Sequence, residues 1–309
     1  MNSLHKRMIA LLALGSALTA AAEASAFCRA TTCDPTEPGG CPANKQGCET
    51  SGSPLFWASN CVTVSVQADA APKQHVDYDT AKASVERAFA AWMAVTCSDL
   101  PPSITVTVDG PVQCNQSEYN PDRGNANIVL FREDEWPYPG GQDALGVTFI
   151  NFDPKSGEIW DVDIEVNAVA EPLSVEPAAD DVDLDSLLTH EAGHLLGLAH
   201  TQDKAATMFP GYSPGSTSLR TLGYDDVSGL CEIYPGSRVT TSTSCVPRHG
   251  FSALCGADQP TPVSPPKTAD DSKTSEGCNV SRRPQSSFGI WLAISTALAA
   301  FRRRRRGFY

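Results

Sequence analysis

The sequence predicts an α+β domain, and three observations carry that prediction. Five short β-rich segments lie before residue 167, whereas two of three helical segments follow residue 183. Hydrophobic residues make up 41% of the chain and charged residues 19%, a composition able to build a packed core. Ten cysteines lie between Phe27 and Gly277 without a CxxC spacing, which points to disulfides and an oxidising compartment.

Each element has its own signal. Cys61–Gln67 (CVTVSVQ) alternates apolar and polar residues and reads as a strand. From Tyr78 to Thr96, Ala81, Val85, Phe89, Trp92 and Met93 recur at helical spacing. Ser103–Val108 and Asn127–Phe131 are further strands. Leu145–Phe152 and Glu158–Val166 are two more, joined by the turn Asp153–Gly157, which holds Pro154, Ser156 and Gly157. A second helix runs from about Asp183 to Leu196, with Asp183 or Asp185 near its N-terminus, where the helix dipole favours an acid. A third spans Asp225–Ile233. Cysteines close in sequence suggest the pairs Cys97–Cys114 and Cys245–Cys255, although pairing cannot be deduced from sequence.

The ends read as addresses. Lys6 and Arg7 precede an apolar run from Met8, and Ala24-Ser25-Ala26 is a small-residue cleavage site, so residues 1–26 are expected to be a signal peptide. Residues 27–54 hold Cys28, Cys33, Cys41 and Cys48 among turn-forming residues and form a stapled loop. Residues 55–236 are the main domain. Residues 237–277 contain Cys245 and Cys255 and then become rich in Pro, Ser and Thr, a spacer. Residues 278–309 carry an apolar segment and five arginines, Arg302 to Arg306. Gly277-Cys278, the short apolar helix and the arginine block resemble the C-terminal sorting signal of myxobacterial surface proteins. That resemblance implies processing and lipid attachment at Cys278 and display on the cell surface. A plain membrane tail anchor is the alternative. Both put the body outside the cytoplasm.

Charge narrows the function. Residues 27–277 carry 14 basic and 35 acidic side chains, a net of −21, which repels nucleic acid. The chemistry concentrates in His190-Glu191-Ala192-Gly193-His194, an HExxH word on the second helix. His190 and His194 leave one helix face a turn apart and can reach one zinc ion. Glu191 can touch water at that metal. Gly197 can take positive φ and end the helix, so the chain turns back and delivers His200 as a third ligand. Three imidazoles leave a position open, a catalytic arrangement.

The word HEAGHLLGLAH resembles the metzincin metallopeptidases, and within them the matrixins. Thr201 follows the third histidine, Met208 fits the Met-turn below the metal, and Met208-Phe209-Pro210-Gly211-Tyr212 fits the wall of the S1′ pocket. Leu222–Tyr234 fits the closing helix, whose Asp226 would bond back to the Met-turn. The resemblance implies a twisted, mixed five-stranded sheet with three helices and a zinc cleft between upper and lower subdomains. It further implies a secreted, surface-anchored zinc endopeptidase with Glu191 as base. A monomer would hold an extended peptide along the strand Ala144–Phe152 and against Pro210–Tyr212. The alternative is an inactive surface binding or adhesion module that retains the zinc-stabilised fold. No matrixin-type prodomain is expected before residue 55. Latency would require an unpaired cysteine of the N-terminal segment to cap the zinc. Only His75 and His249 remain elsewhere in the body, so no second, structural zinc is expected. Asp161, Asp163 and Glu165 alternate on one strand face and are candidate ligands for Ca²⁺. A solvated acidic face is the other reading of that triplet.

Overall fold

The computed structural model of the chain describes residues 27–34, 39–138, 144–169, 171–240 and 242–256. The expected signal peptide, the end of the spacer from 257, Cys278 and the anchor segment lie outside the described residues. Among those described, no helix is long and apolar enough to cross a membrane.

The strands predicted from alternation pair into one sheet. β1 is Cys28–Arg29 and β2 is Cys61–Gln67. Helix α1, Tyr78–Met93, follows. Then come β3 (Thr105–Val112), β4 (Asn127–Arg132), β5 (Gly146–Phe152) and β6 (Ile159–Asn167). Two-residue strands β7 (Leu173–Ser174) and β8 (Val182–Asp183) lead into α2 (Leu184–Leu195). β9 (Leu198–Ala199) and α3 (Tyr224–Ile233) complete the order. The five-stranded sheet has the order β3-β2-β4-β6-β5. β2 pairs in parallel with β3 and β4, and β4 with β6, while β5 runs antiparallel to β6 at the edge. The sheet is therefore mixed, and the described residues are α+β with three α-helices, as the pattern predicted.

Both faces of the sheet are covered, which is why β4 and β6 are buried almost throughout. One face sends Val64, Val66, Val129, Ile164 and Val166 into the main core with α1 and α2. Trp92 of α1 is fully buried there, and its indole N–H donates to Thr189 O at 2.8 Å. The other face carries a smaller cluster of Val112, Cys114, Ala126, Ile128, Leu130 and Cys255. Chain from Ser242 to Gly256 covers it. Thr63 donates to Cys245 O at 2.6 Å, and Ser59 to Ser244 O at 2.8 Å.

Among the described residues five disulfides form: Cys28–Cys48, Cys33–Cys41, Cys61–Cys245, Cys97–Cys231 and Cys114–Cys255. The pairs Cys97–Cys114 and Cys245–Cys255, expected from nearness in sequence, are overturned. Topology decides instead: the chain after α1 meets α3, and the C-terminal stretch crosses the sheet and is tied at two separate points. Latency through a cysteine of the N-terminal segment is also excluded, because all four of its sulfurs are paired.

Candidate metal and catalytic site

Helix α2 positions the site. Asp183 caps it, accepting from Ser186 N at 3.0 Å, and is itself gripped by Arg220 Nε at 2.7 Å and Nη2 at 2.5 Å. Of the two acids expected near the start of the helix, Asp183 is the cap and Asp185 lies in the first turn. Asp185 instead pairs with Arg87, at 2.7 and 2.8 Å. Every residue of the helix is buried. Gly193 has to be glycine on steric grounds: a Cβ there would lie 2.2 Å from Met208 Sδ and 2.7 Å from Trp92 Cζ2.

His190 and His194 project from one face of α2. The helix ends at Leu195, Gly197 takes φ +94°, and the chain returns His200 to them. His190 Nδ1 lies 2.7 Å from Thr207 O, and His194 Nδ1 lies 2.9 Å from Leu198 O. A carbonyl only accepts, so each Nδ1 carries the proton and each Nε2 keeps its lone pair. Those lone pairs converge: His200 Nε2 is 3.1 Å from His190 Nε2 and 3.3 Å from His194 Nε2. Tetrahedral zinc with bonds of about 2.0–2.1 Å spaces its nitrogens by about 3.3–3.4 Å. The triad fits that ion, and it is the one set of three metal-ligating side chains found among the described residues. Burial pushes His190 down to about 4 and His200 down to about 3, and lowers His194 as well, so all three stay neutral ligands at ordinary pH.

Glu191 sits beside the triad and is fully buried. Thr148 Oγ1 on β5 donates to its Oε2 at 2.6 Å, while Oε1 has no hydrogen-bond partner. Burial raises the carboxyl to about 8, and the Thr148 bond pulls the other way. Gly146, also on β5, makes room: a Cβ there would stand 2.7 Å from Glu191 Oε1. Sequence reading missed Thr148 and Gly146. Their signal is weak, being only the two small residues at alternate positions of an otherwise bulky strand.

Below the triad, Met208 is buried, and its carbonyl accepts from Thr201 N at 3.1 Å. Asp226 of α3 accepts from Thr207 N at 2.6 Å, Met208 N at 3.0 Å and Gly223 N at 2.7 Å. From Met208 the chain passes through Pro210 and Gly211 to Tyr212. The Tyr212 hydroxyl accepts from Asp183 N at 2.8 Å and donates to Ser216 O at 3.0 Å. The segment is thereby fastened through Tyr212 to the start of α2. Among the described residues β5 is the edge strand of the sheet and pairs only with β6.

Asp161, Asp163 and Glu165 do share one face of β6, but the expected solvated acidic face is overturned, since all three are buried. Arg132 Nε donates to Glu165 Oε2 at 2.6 Å and Tyr138 Oη donates to the same oxygen at 2.5 Å. Asp163 accepts from Glu118 N at 3.0 Å and Ile128 N at 3.2 Å. Asp161 keeps one oxygen unpartnered. Burial raises Asp161 and Asp163 well above the usual carboxylate range, whereas the Arg132 and Tyr138 bonds hold Glu165 low against its burial.

The comparisons agree with this geometry. The sequence profile of the matrixin peptidases matches residues 56–235. Metalloendoproteinase 1 of Glycine max is 28% identical over 166 residues, covering 53% of this chain and 48% of the relative. Metalloendoproteinase 4-MMP of Arabidopsis thaliana is 33% identical over 156 residues, covering 48% and 38%. Neutrophil collagenase of Homo sapiens is 39% identical over 85 residues, covering 28% and 15%. The chain thus spans about half the length, or less, of these curated relatives. The matched residues run from just before β2 to just past the end of α3, through triad, Met-turn and closing helix, and by that span the chain belongs to the matrixin family.

Proposed function

We propose that the protein is a zinc-dependent endopeptidase that hydrolyses extended segments of extracellular proteins. The observation that carries this reading is the unpartnered Oε1 of Glu191, buried beside three converging imidazole nitrogens. Holding a metal needs the histidines alone. A buried carboxylate oxygen that no donor occupies, beside a metal's ligands, is free to exchange a proton with water there. His190, His194 and His200 would hold the ion, which supplies Lewis acidity when bound, acidifying water and polarising the scissile carbonyl. Glu191 Oε1 takes the proton from the attacking water and passes it to the leaving amine. Thr148 anchors the opposite oxygen, so the carboxylate cannot swing away. The outer edge of β5 accepts the peptide as an added strand, and Pro210–Tyr212 bounds the space for the side chain after the cut.

The compartment belongs to the proposal. Five disulfides suit an exported protein, and the signal expected at 1–26 and the Cys278 region would deliver and anchor it. Calcium has no part in the reading, because Arg132 already neutralises Glu165, and amides of the chain meet Asp163.

The test is cleavage of casein or gelatin by the purified protein, with and without a zinc chelator, beside Glu191→Gln. The variant is expected to keep one zinc per chain and to lose roughly 10²–10⁴-fold in rate. Equal cleavage by the variant would remove Glu191 from its role. Zinc binding without any cleavage by the wild type would favour a binding module instead.

A further inference from the structure

We propose that the disulfide-stapled N-terminal segment, 27–53, is a positioning element of the histidine triad: strand β1 holds the arm that carries His200. The proposal rests on the zinc reading of that triad. Residues 27–53 lie outside the span matched by the matrixin profile, which begins at 56.

The argument starts at the end of α2. A helix leaves its last carbonyls without intrahelical donors. Here three carbonyls are met by groups remote in sequence. Leu195 O accepts from Trp57 Nε1 at 2.9 Å, Leu196 O from Tyr234 Oη at 3.0 Å, and Gly197 O from Ala30 N at 2.9 Å. The third donor comes from the N-terminal segment. Immediately beyond it, β1 and β9 pair antiparallel, with Cys28 opposite Ala199 and Arg29 opposite Leu198. β9 is all the chain there is between Gly197 and His200. Its Leu198 carbonyl also receives His194 Nδ1 and so fixes that ring. One two-residue ribbon therefore governs the placing of two of the three nitrogens.

The segment is itself fixed from both sides. Leu55 N donates to Ala30 O at 2.8 Å, and Arg29 Nη2 donates to Leu55 O at 2.9 Å. Phe27 packs beside Gly229 of α3, where a Cβ would meet its ring at 3.1 Å. Cys28, in the ribbon, is tied to Cys48. A two-stranded ribbon of two residues each has little stability of its own. The Cys28–Cys48 bond confines β1 beside β9 and keeps that ribbon in place. Cys33–Cys41 closes a separate small loop away from it.

The experiment reads zinc retention by the oxidised, zinc-loaded full chain, followed as the rate of zinc transfer to a chelating dye. Ala30→Pro removes the one N–H that meets Gly197 O, whereas Ala30→Gly keeps it. Ala30→Pro is expected to lose zinc on the order of ten-fold faster, the usual scale for groups that orient metal ligands, with Ala30→Gly close to wild type. Cys28→Ser/Cys48→Ser should behave as the proline variant, and Cys33→Ser/Cys41→Ser as wild type. The cysteine pairs decide the matter if the proline variant does not fold. Thermal midpoints of the metal-free proteins separate positioning from general loosening: zinc loss should exceed what the midpoints predict. Wild-type zinc retention in both Ala30→Pro and Cys28→Ser/Cys48→Ser would overturn the proposal. A wild-type chain that takes up no zinc would instead overturn the zinc reading beneath it.

Discussion

Thr148 and Glu191 show how a single hydrogen bond can tune a buried carboxyl. Burial raises Glu191 to about 8, and the Thr148 hydroxyl counteracts that rise. Thr148→Val keeps the shape and removes the donor, so the carboxyl should ionise at higher pH still. The acid limb of the pH–rate profile is expected to move upward, with kcat/KM down roughly ten-fold at neutral pH. An unmoved limb would show that Thr148 does not act on Glu191. Stability carries the same signature. A carboxyl whose folded pKa exceeds its unfolded value contributes full stability below the unfolded value, and loses it as pH rises through the folded one. For Glu191 that window runs from the ordinary value of 4.5 to about 8. Metal-free Glu191→Gln should therefore gain on metal-free wild type as pH climbs through this range, then level off. The depressed histidines work in the opposite sense at lower pH, but both proteins carry them and their effect cancels in the difference. Thermal melts of the two proteins at stepped pH measure the gap. A gap that stays flat would mean that Glu191 is not perturbed.

At the scale of elements, the chain reversal after α2 depends on partners from three separate places. Trp57 N–H serves Leu195 O, while the Tyr234 hydroxyl both accepts from Trp57 N at 3.1 Å and donates to Leu196 O. Trp57→Phe leaves most of the apolar contact and strands one buried carbonyl. The expected cost is about 1–3 kcal/mol, read from denaturant unfolding. A neutral effect would show that water or a shifted backbone replaces the indole. None of these three partners, Trp57, Tyr234 and the Ala30 N–H that meets Gly197 O, was legible in sequence. The HExxH word, the glycine that ends α2 and the returning histidine were legible, because helical period and ligand chemistry are local. Five strands and three helices were likewise legible to within a few residues, with β3 running on to Val112 and α1 stopping at Met93. What escaped was set by long-range packing. Trp57 lies 138 residues from Leu195 O, and Cys97 finds Cys231 rather than its neighbour Cys114. Burial of the β6 carboxylates was hidden for the same reason. Alternation tells that residues share a face, but not what covers it.

The whole molecule is a sheet with two different coverings. Helices α1 and α2 bring the histidines to one face. The other is sealed by the C-terminal stretch, beyond the span that defines the family, through Cys61–Cys245 and Cys114–Cys255. These bonds close sequence separations of 184 and 141 residues. In the chain-entropy account, loops of that size confine the unfolded chain strongly. The cluster around Cys255 also buries apolar surface that would otherwise face water. Replacing Cys114 and Cys255 with serine should therefore lower unfolding free energy by about 2–5 kcal/mol. The triad stands on the opposite face, with His190 and His194 held by Thr207 O and Leu198 O, and the groups that fix that surrounding chain, Trp57, Asp226 and strand β1, lie outside the sealing stretch. Zinc per chain should accordingly stay at the wild-type value in the variant below its unfolding midpoint. Urea unfolding together with metal analysis measures both quantities on one sample. Loss of zinc while the fold persists would mean that the covering transmits through the sheet to the site, and that the two faces do not act independently.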